Sequence, residues 1–148
     1  MGVEIERKFL VDRSKWDASK ENNGLSIRQG YLLKSIEKTV RVRTKGDKGY
    51  LTIKGKTTGA SRSEFEYEIP YQEALEMLNT YCDKIIDKVR FTLIVDGKEW
   101  EIDEFSSPQE GLILAEIELD SEDEVFTIPE WVTEEVTSDP QYYNANMI

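Results

Sequence analysis

The sequence predicts a single α+β domain in which antiparallel strands dominate and close into a barrel. Three observations carry this reading. Apolar and polar residues alternate with period two along almost the whole chain, and only one strong helical stripe interrupts them. The strand patterns number about eight, enough to close a small barrel. No repeat, linker or shift of composition divides the 148 residues, so residues 1–148 form one domain. That length buries one real core and is too short for two.

The elements follow in order. Val3, Ile5, Arg7 and Phe9 share one face of the first strand, and Glu4, Glu6 and Lys8 the other. A second strand runs from Ile27 to Leu33 through Gln29-Gly30-Tyr31. A third sets Val40 and Val42 against Arg41 and Arg43, and Lys45 to Gly49 forms a hairpin loop. The fourth sets Leu51 and Ile53 against Thr52 and Lys54. After a Thr58-Gly59 loop, Phe65, Tyr67 and Ile69 oppose Glu64, Glu66 and Glu68. Pro70 starts the central helix, with Ala74, Leu75, Leu78 and Tyr81 at helical spacing. Val89 and Phe91 then face away from Lys88 and Arg90, and Asp96-Gly97 is a two-residue hairpin signal. Trp100 and Ile102 alternate with Glu101 and Asp103, and an eighth strand spans Leu112 to Leu119. Pro129 and Pro140 are each expected to open a short C-terminal helix.

Composition prunes the chemistry. Thirty acidic residues against nineteen basic ones give a net charge of -11, which argues against nucleic acid held by bulk electrostatics. There is no His, and Cys82 is the lone cysteine, so Ser-His and Cys-His dyads and Cys/His zinc sites are excluded. Cys82 itself, and Trp16, Trp100 and Trp131, read as packing residues, although Trp16 or Trp131 at a tunnel mouth would stack on an organic substrate. Without a disulfide, a signal peptide or an apolar run of about 18 residues, the expectation is a cytoplasmic protein with no membrane partner.

What alternates is unusual. The polar face of a half-buried strand is ordinarily a mixture of types facing water. Here ionisable residues recur at i and i+2, often with one sign: Glu4/Glu6, Arg41/Arg43, Glu64/Glu66, Lys88/Arg90 and Glu116/Glu118. A barrel closed with this face inward is a channel lined by both signs. An inward Arg and Lys cluster calls for a multiply anionic ligand, because guanidinium groups fork onto phosphate oxygens. An inward Glu cluster, with no His or Cys, calls for a hard divalent cation such as Mg²⁺ or Mn²⁺. Gly55-Lys56-Thr57 is a decoy: position 50 is Tyr where a P-loop needs Gly, and no helix follows.

Glu4-Ile5-Glu6-Arg7-Lys8 resembles the N-terminal E-x-E-x-K signature of the CYTH domain, or triphosphate tunnel metalloenzyme, superfamily. Gln29-Gly30-Tyr31-Leu32, Arg41-Val42-Arg43, Leu51-Thr52-Ile53-Lys54, Glu64-Phe65-Glu66, Lys88-x-Arg90, Glu101-Ile102-Asp103 and Glu116-Ile117-Glu118 follow in that family's order. Tyr142-x-Asn144-x-x-Met147 is similar to its C-terminal Tyr-x-Asn-x-x-Leu element, with Met for Leu.

The resemblance implies a closed eight-stranded antiparallel tunnel that hydrolyses or cyclises a triphosphate with a divalent metal. Glu4, Glu6 and Glu118, with Glu116 beside it, would hold the metal; Asp103 or Glu101, on one face, would serve as well. Lys8, Arg41, Arg43, Lys54, Lys88 and Arg90 would grip the phosphates. Glu64 and Glu66 would bind a second metal or orient the attacking water, and Tyr31 matches a tunnel tyrosine that pairs with Lys8 from a neighbouring strand. With no His, a general base must be a carboxylate of raised pKa, a lysine of lowered pKa, or water activated by the cation. Inorganic tripolyphosphate is the favoured substrate, because the compact chain has little left over to recognise a base or a thiazolium ring. An adenylate cyclase, a thiamine triphosphatase and a non-enzymatic polyphosphate-binding module are the alternatives. Small antiparallel barrels often pair through an outer apolar face, so a homodimer is compatible with the pattern.

Overall fold

The computed structural model describes residues 2–148. Its strands are β1 (Gly2–Val11), β2 (Leu25–Lys34), β3 (Lys38–Lys45), β4 (Lys48–Gly55), β5 (Ser61–Ile69), β6 (Ile86–Val95), β7 (Lys98–Ser107), β8 (Ile113–Glu118) and β9 (Val132–Glu135). Two helices, α1 (Arg13–Ser19) and α2 (Tyr71–Tyr81), lie outside, and two 3₁₀ turns, Pro140–Tyr142 and Asn144–Asn146, end the chain. The strands run in the order β5-β4-β3-β2-β6-β7-β8-β1, and β5 pairs again with β1. The eight-stranded antiparallel barrel is therefore closed and has no free edge within the ring. β9 pairs with the last residues of β1.

Short turns set the register. Asp96 and Gly97 both have positive φ, 50° and 76°, the geometry that joins β6 to β7 through two residues. Gly30 is required for another reason: a Cβ there would come within 2.7 Å of Cys82 Sγ. That close approach seats the end of α2 against β2. The apolar stripe of α2 buries Ala74 and Leu78 on Val42, with Leu51, Ile69 and Met77 around them.

A larger outer core covers the opposite side. Phe9, Trp100, Ile102, Ala115 and Ile117 on the outward faces of β1, β7 and β8 pack with Trp16 of α1 and with Trp131. Trp16 and Trp131 meet nearly edge to face at 5.3 Å, so neither stands at a tunnel mouth. Two local expectations need correction. Residues around Pro129 form a turn leading into β9 rather than a helix, and β8 is trimmed to Ile113–Glu118. Pro is as well suited to a turn preceding a strand as to a first helical turn. Pro140 does open a helical turn, of 3₁₀ type, with Asp139 as its cap.

Candidate active site

Alternation sends one face of every barrel strand into the lumen, which encloses a cavity of about 240 Å³. Of the residues singled out from the sequence, Glu4, Glu6, Lys8, Tyr31, Arg41, Arg43, Lys54, Glu64, Glu66, Lys88, Arg90, Glu116 and Glu118 line it. Strand order sorts them by sign. Carboxylates come from the contiguous strands β7, β8, β1 and β5, and the arginines and all the lysines but Lys8 of this set come from β4, β3 and β6. The lumen thus has an acidic wall facing a cationic one.

The cationic wall is held by carboxylates at its margins. Arg41 and Arg43 share Glu66 Oε2, at 3.4 and 3.6 Å, and Thr52 donates to the same oxygen at 2.9 Å. Burial raises the Glu66 carboxyl, but the Arg43 charge and the Thr52 hydrogen bond outweigh it and keep it below its usual range. Lys54 donates to both oxygens of Glu4, at 3.0 and 3.2 Å, and lies 3.5 Å from Glu64. Crowding remains: burial, Arg41 and Arg90 push Arg43 down to about 9, still charged at neutral pH.

Asp103 lies elsewhere than expected of a metal ligand. It is fully buried behind the lining, with both oxygens on Arg90 (2.8 and 2.9 Å) and Oδ2 also 2.7 Å from Lys88 Nζ. Glu101, its same-face neighbour, is the one that lines the cavity, 3.3 Å from Arg90. The geometry makes Asp103 the buried counter-ion of two tunnel cations. Burial raises its carboxyl, but Arg90 and Lys88 outweigh this and hold it at about 2. Lys88 itself is pushed down to about 7, chiefly by burial, with Arg90 adding to it against Asp103.

On the acidic wall, Glu6 and Glu118 are direct cross-strand partners, as are Lys8 and Glu116, and Glu101 and Glu116. Burial and the charges of Glu116 and Glu4 push Glu6 well up. Glu116 goes the other way: burial raises it, but Lys8, with Arg90 and Lys88, holds it well below the usual range. Glu118 is raised by burial and by Glu4, Glu64 and Glu101.

Lys8 and Tyr31 do not pair as expected. β2 faces β1 across the lumen instead of lying beside it, and Tyr31 is the cross-strand partner of Arg41. The Lys8 ammonium donates to the carbonyl of Tyr142 at 3.0 Å, with the Tyr143 ring 6.0 Å away. Several lining residues had not been assigned a role: Lys45 and Arg62, and Thr137, Tyr143 and Asn144 from the C-terminal segment. Lys45 was legible, as the next inward step after Arg41 and Arg43. The C-terminal residues were not, because no alternation links them to the barrel.

A closed antiparallel barrel whose lumen opposes carboxylates to cations defines a tunnel protein built to take a polyanion together with a cation. The chain belongs to the CYTH domain family, whose pattern matches residues 2–146. It is 48% identical to an inorganic triphosphatase of Acetivibrio thermocellus, over 100% of this chain and 94% of that one. It is 37% identical to an inorganic triphosphatase of Nitrosomonas europaea, over 96% and 94% of the two chains. The crystal structure of an inorganic triphosphatase, 32% identical, matches with a TM-score of 0.66 over 99% of this chain and 94% of that one.

Proposed function

We propose that this protein is a divalent-metal-dependent inorganic triphosphatase that hydrolyses tripolyphosphate inside the barrel. The observation that carries the proposal is the cationic wall: Arg41, Arg43, Lys54, Lys88 and Arg90 in one small cavity, facing carboxylates. An inorganic polyanion fits such a lining, because every residue of the cationic wall is a donor to phosphate oxygens. The full-length relationship to two inorganic triphosphatases supports the same substrate.

The donor set of the acidic wall fits Mg²⁺ or Mn²⁺. It is all oxygen, and the charges of Glu116 and Glu4 crowd Glu6 in a way that a bound cation would relieve. Among the described residues no three carboxylates already converge into a cage. That suits Mg²⁺, which binds through one or two carboxylates and completes its octahedron with water and phosphate oxygens. Glu4, Glu6, Glu116 and Glu118 would hold it. When bound, the cation supplies charge neutralisation on phosphate oxygens and polarises the bond to be broken.

The chain's own residues do the positioning. Arg41 and Arg43 grip phosphate oxygens in forks, and Lys54, Lys88 and Arg90 add point and planar donors along the same wall. Lys8, the one cation of this set on the acidic wall, reaches the phosphate from the other side. Before binding, Glu66 and Glu64 occupy the arginines and Lys54. As phosphate takes over those cations, the two carboxylates are released to orient the attacking water. Tyr31 supplies a phenol to the lumen opposite Lys8.

The test is phosphate release from tripolyphosphate, ATP and thiamine triphosphate by the purified protein with Mg²⁺ or Mn²⁺, with cyclic AMP read in parallel. Tripolyphosphate should be turned over fastest and excess EDTA should abolish the activity. Faster cyclic AMP formation than phosphate release, or full turnover in EDTA, would remove the proposal.

A further inference from the structure

We propose that Asn144 is a substrate-binding residue whose side-chain NH₂ donates to a phosphate oxygen at the C-terminal end of the cavity. The inference rests on the triphosphatase reading above and adds to it a neutral donor among the charges.

The inward rows of four strands turn from charged to apolar at one level of the barrel. Lys8 is followed by Leu10, Lys88 is preceded by Ile86, Asp103 is followed by Phe105, and Glu116 is preceded by Leu114. Those four apolar side chains form one cluster, on which Tyr142, Met147 and Ile148 pack. The C-terminal segment is therefore seated on an apolar floor inside the barrel. Its polar atoms are carried to the lysines just above that floor.

Hydrogen-bond polarity then fixes how Asn144 is turned. Guanidinium and ammonium groups donate and never accept. Arg43 Nη1 stands 3.5 Å from one end of the buried Gln29 amide, so that end is Oε1. The Gln29 NH₂ must point the other way, and it donates to Asn144 Oδ1 at 3.3 Å. Lys88 Nζ donates to the same Oδ1 at 2.9 Å. Two independent donors, Gln29 Nε2 and Lys88 Nζ, thus hold the Asn144 oxygen, and a flipped amide would set its NH₂ against the Gln29 NH₂. The NH₂ end is left over. Among the described residues no acceptor meets it, and it is not among the side-chain atoms buried without a partner. Asn144 lines the cavity, which places this unpaired end within reach of a ligand there. An oriented, unpaired N–H pair beside Lys88 in a cavity built for phosphate is a ready donor to an anionic oxygen.

Two substitutions separate a substrate contact from a mere prop for Lys88. Asn144→Asp keeps an oxygen for Lys88 and Gln29, and strengthens it, but removes the NH₂ and adds a charge. Asn144→Ala removes both. Tripolyphosphate affinity is read by calorimetry without metal and by KM with Mg²⁺, alongside the thermal midpoint of each unliganded protein. A substrate contact predicts that Ala weakens binding about tenfold and that Asp weakens it further. The Asn144 side-chain ¹⁵N–¹H₂ resonances, assigned by their loss in the Ala variant, should also shift on adding tripolyphosphate to the wild type. Wild-type affinity in Asn144→Asp would show that only the acceptor matters and overturn the proposal. Unchanged affinity in Asn144→Ala, with unmoved amide resonances, would overturn it even if the Asp variant did not fold. Failure of the wild type to bind or hydrolyse tripolyphosphate would instead remove the reading underneath, before any variant is compared.

Discussion

Lys88 Nζ and Asp103 Oδ2 stand 2.7 Å apart, and each side chain is only 2% exposed. Asp103 also takes Arg90 in a two-pronged contact, so one carboxylate neutralises two buried cations. Removing one partner of such a set leaves uncompensated charge in the interior. Asp103→Asn should therefore destabilise the protein by about 3 kcal/mol or more, lowering the thermal midpoint by roughly 10 °C. A metal ligand would behave differently, losing cation affinity while the unliganded fold stayed intact. Thermal unfolding in EDTA decides between them, and an unchanged midpoint would return Asp103 to the metal site.

The same cluster carries a pH signature. Burial and Arg90 hold Lys88 near 7 in the folded protein, against an ordinary value of 10.5. Between those values the unfolded chain binds a proton that the folded chain does not. Stability from this group therefore rises with pH from about 7 to 10 and is lowest below 7. Lys88→Met keeps the bulk and removes the charge, so it should stabilise the unliganded protein most at pH 6 and least near pH 10. Tripolyphosphate turnover should be lost throughout. Urea midpoints of both proteins at the two pH values check the sign; an equal gap at both would mean that Lys88 titrates normally.

Much of this site was readable because a strand places residues by parity. Glu4, Glu6 and Lys8 had to share a face, as did Arg41 and Arg43, and both faces are found in the lumen. Parity could not choose between Glu101 and Asp103, which share a face at different depths. Nor could it show that β2 lies across the barrel from β1, since strand order is a tertiary outcome. Helix α1 escaped notice because its seven residues carry one deeply buried side chain, Trp16, and no stripe. Asn144 reaches Lys88 over 56 positions of sequence through packing of the chain end, which no local pattern encodes.

Arg43 tests the cationic wall. Burial, Arg41 and Arg90 all disfavour its charge, so its removal relieves repulsion within the cationic wall. Arg43→Ala should leave the thermal midpoint of the unliganded protein within about 3 °C of wild type. Turnover of tripolyphosphate should fall about a hundredfold, and the rise in midpoint on adding tripolyphosphate should shrink by linkage. Normal turnover together with a normal ligand-induced shift would place the phosphate chain elsewhere.

Lys8 makes the sharpest demand on the tunnel reading. Its side chain is buried on the acidic wall, yet among the described residues no carboxylate lies within ion-pair distance of Nζ. Burial works against its charge, but Glu116, Glu6 and Asp103 at longer range more than compensate, so its pKa is raised and it stays an ammonium. Among the described residues the ammonium's one hydrogen bond goes to the Tyr142 carbonyl, which leaves two N–H donors for a ligand. A buried cation kept charged and under-partnered is preorganised for an anion that arrives later. Loss of one such contact costs on the order of 3 kcal/mol of transition-state stabilisation, roughly a hundredfold in rate. Lys8→Ala should fall by that factor on tripolyphosphate at saturating Mg²⁺. Lys8→Arg should recover only part of it, because a planar fork cannot serve Tyr142 and a phosphate with the geometry of a point donor. Wild-type rates in Lys8→Ala would mean that Lys8 does not touch the substrate, and that the cations of the other strands hold the phosphates.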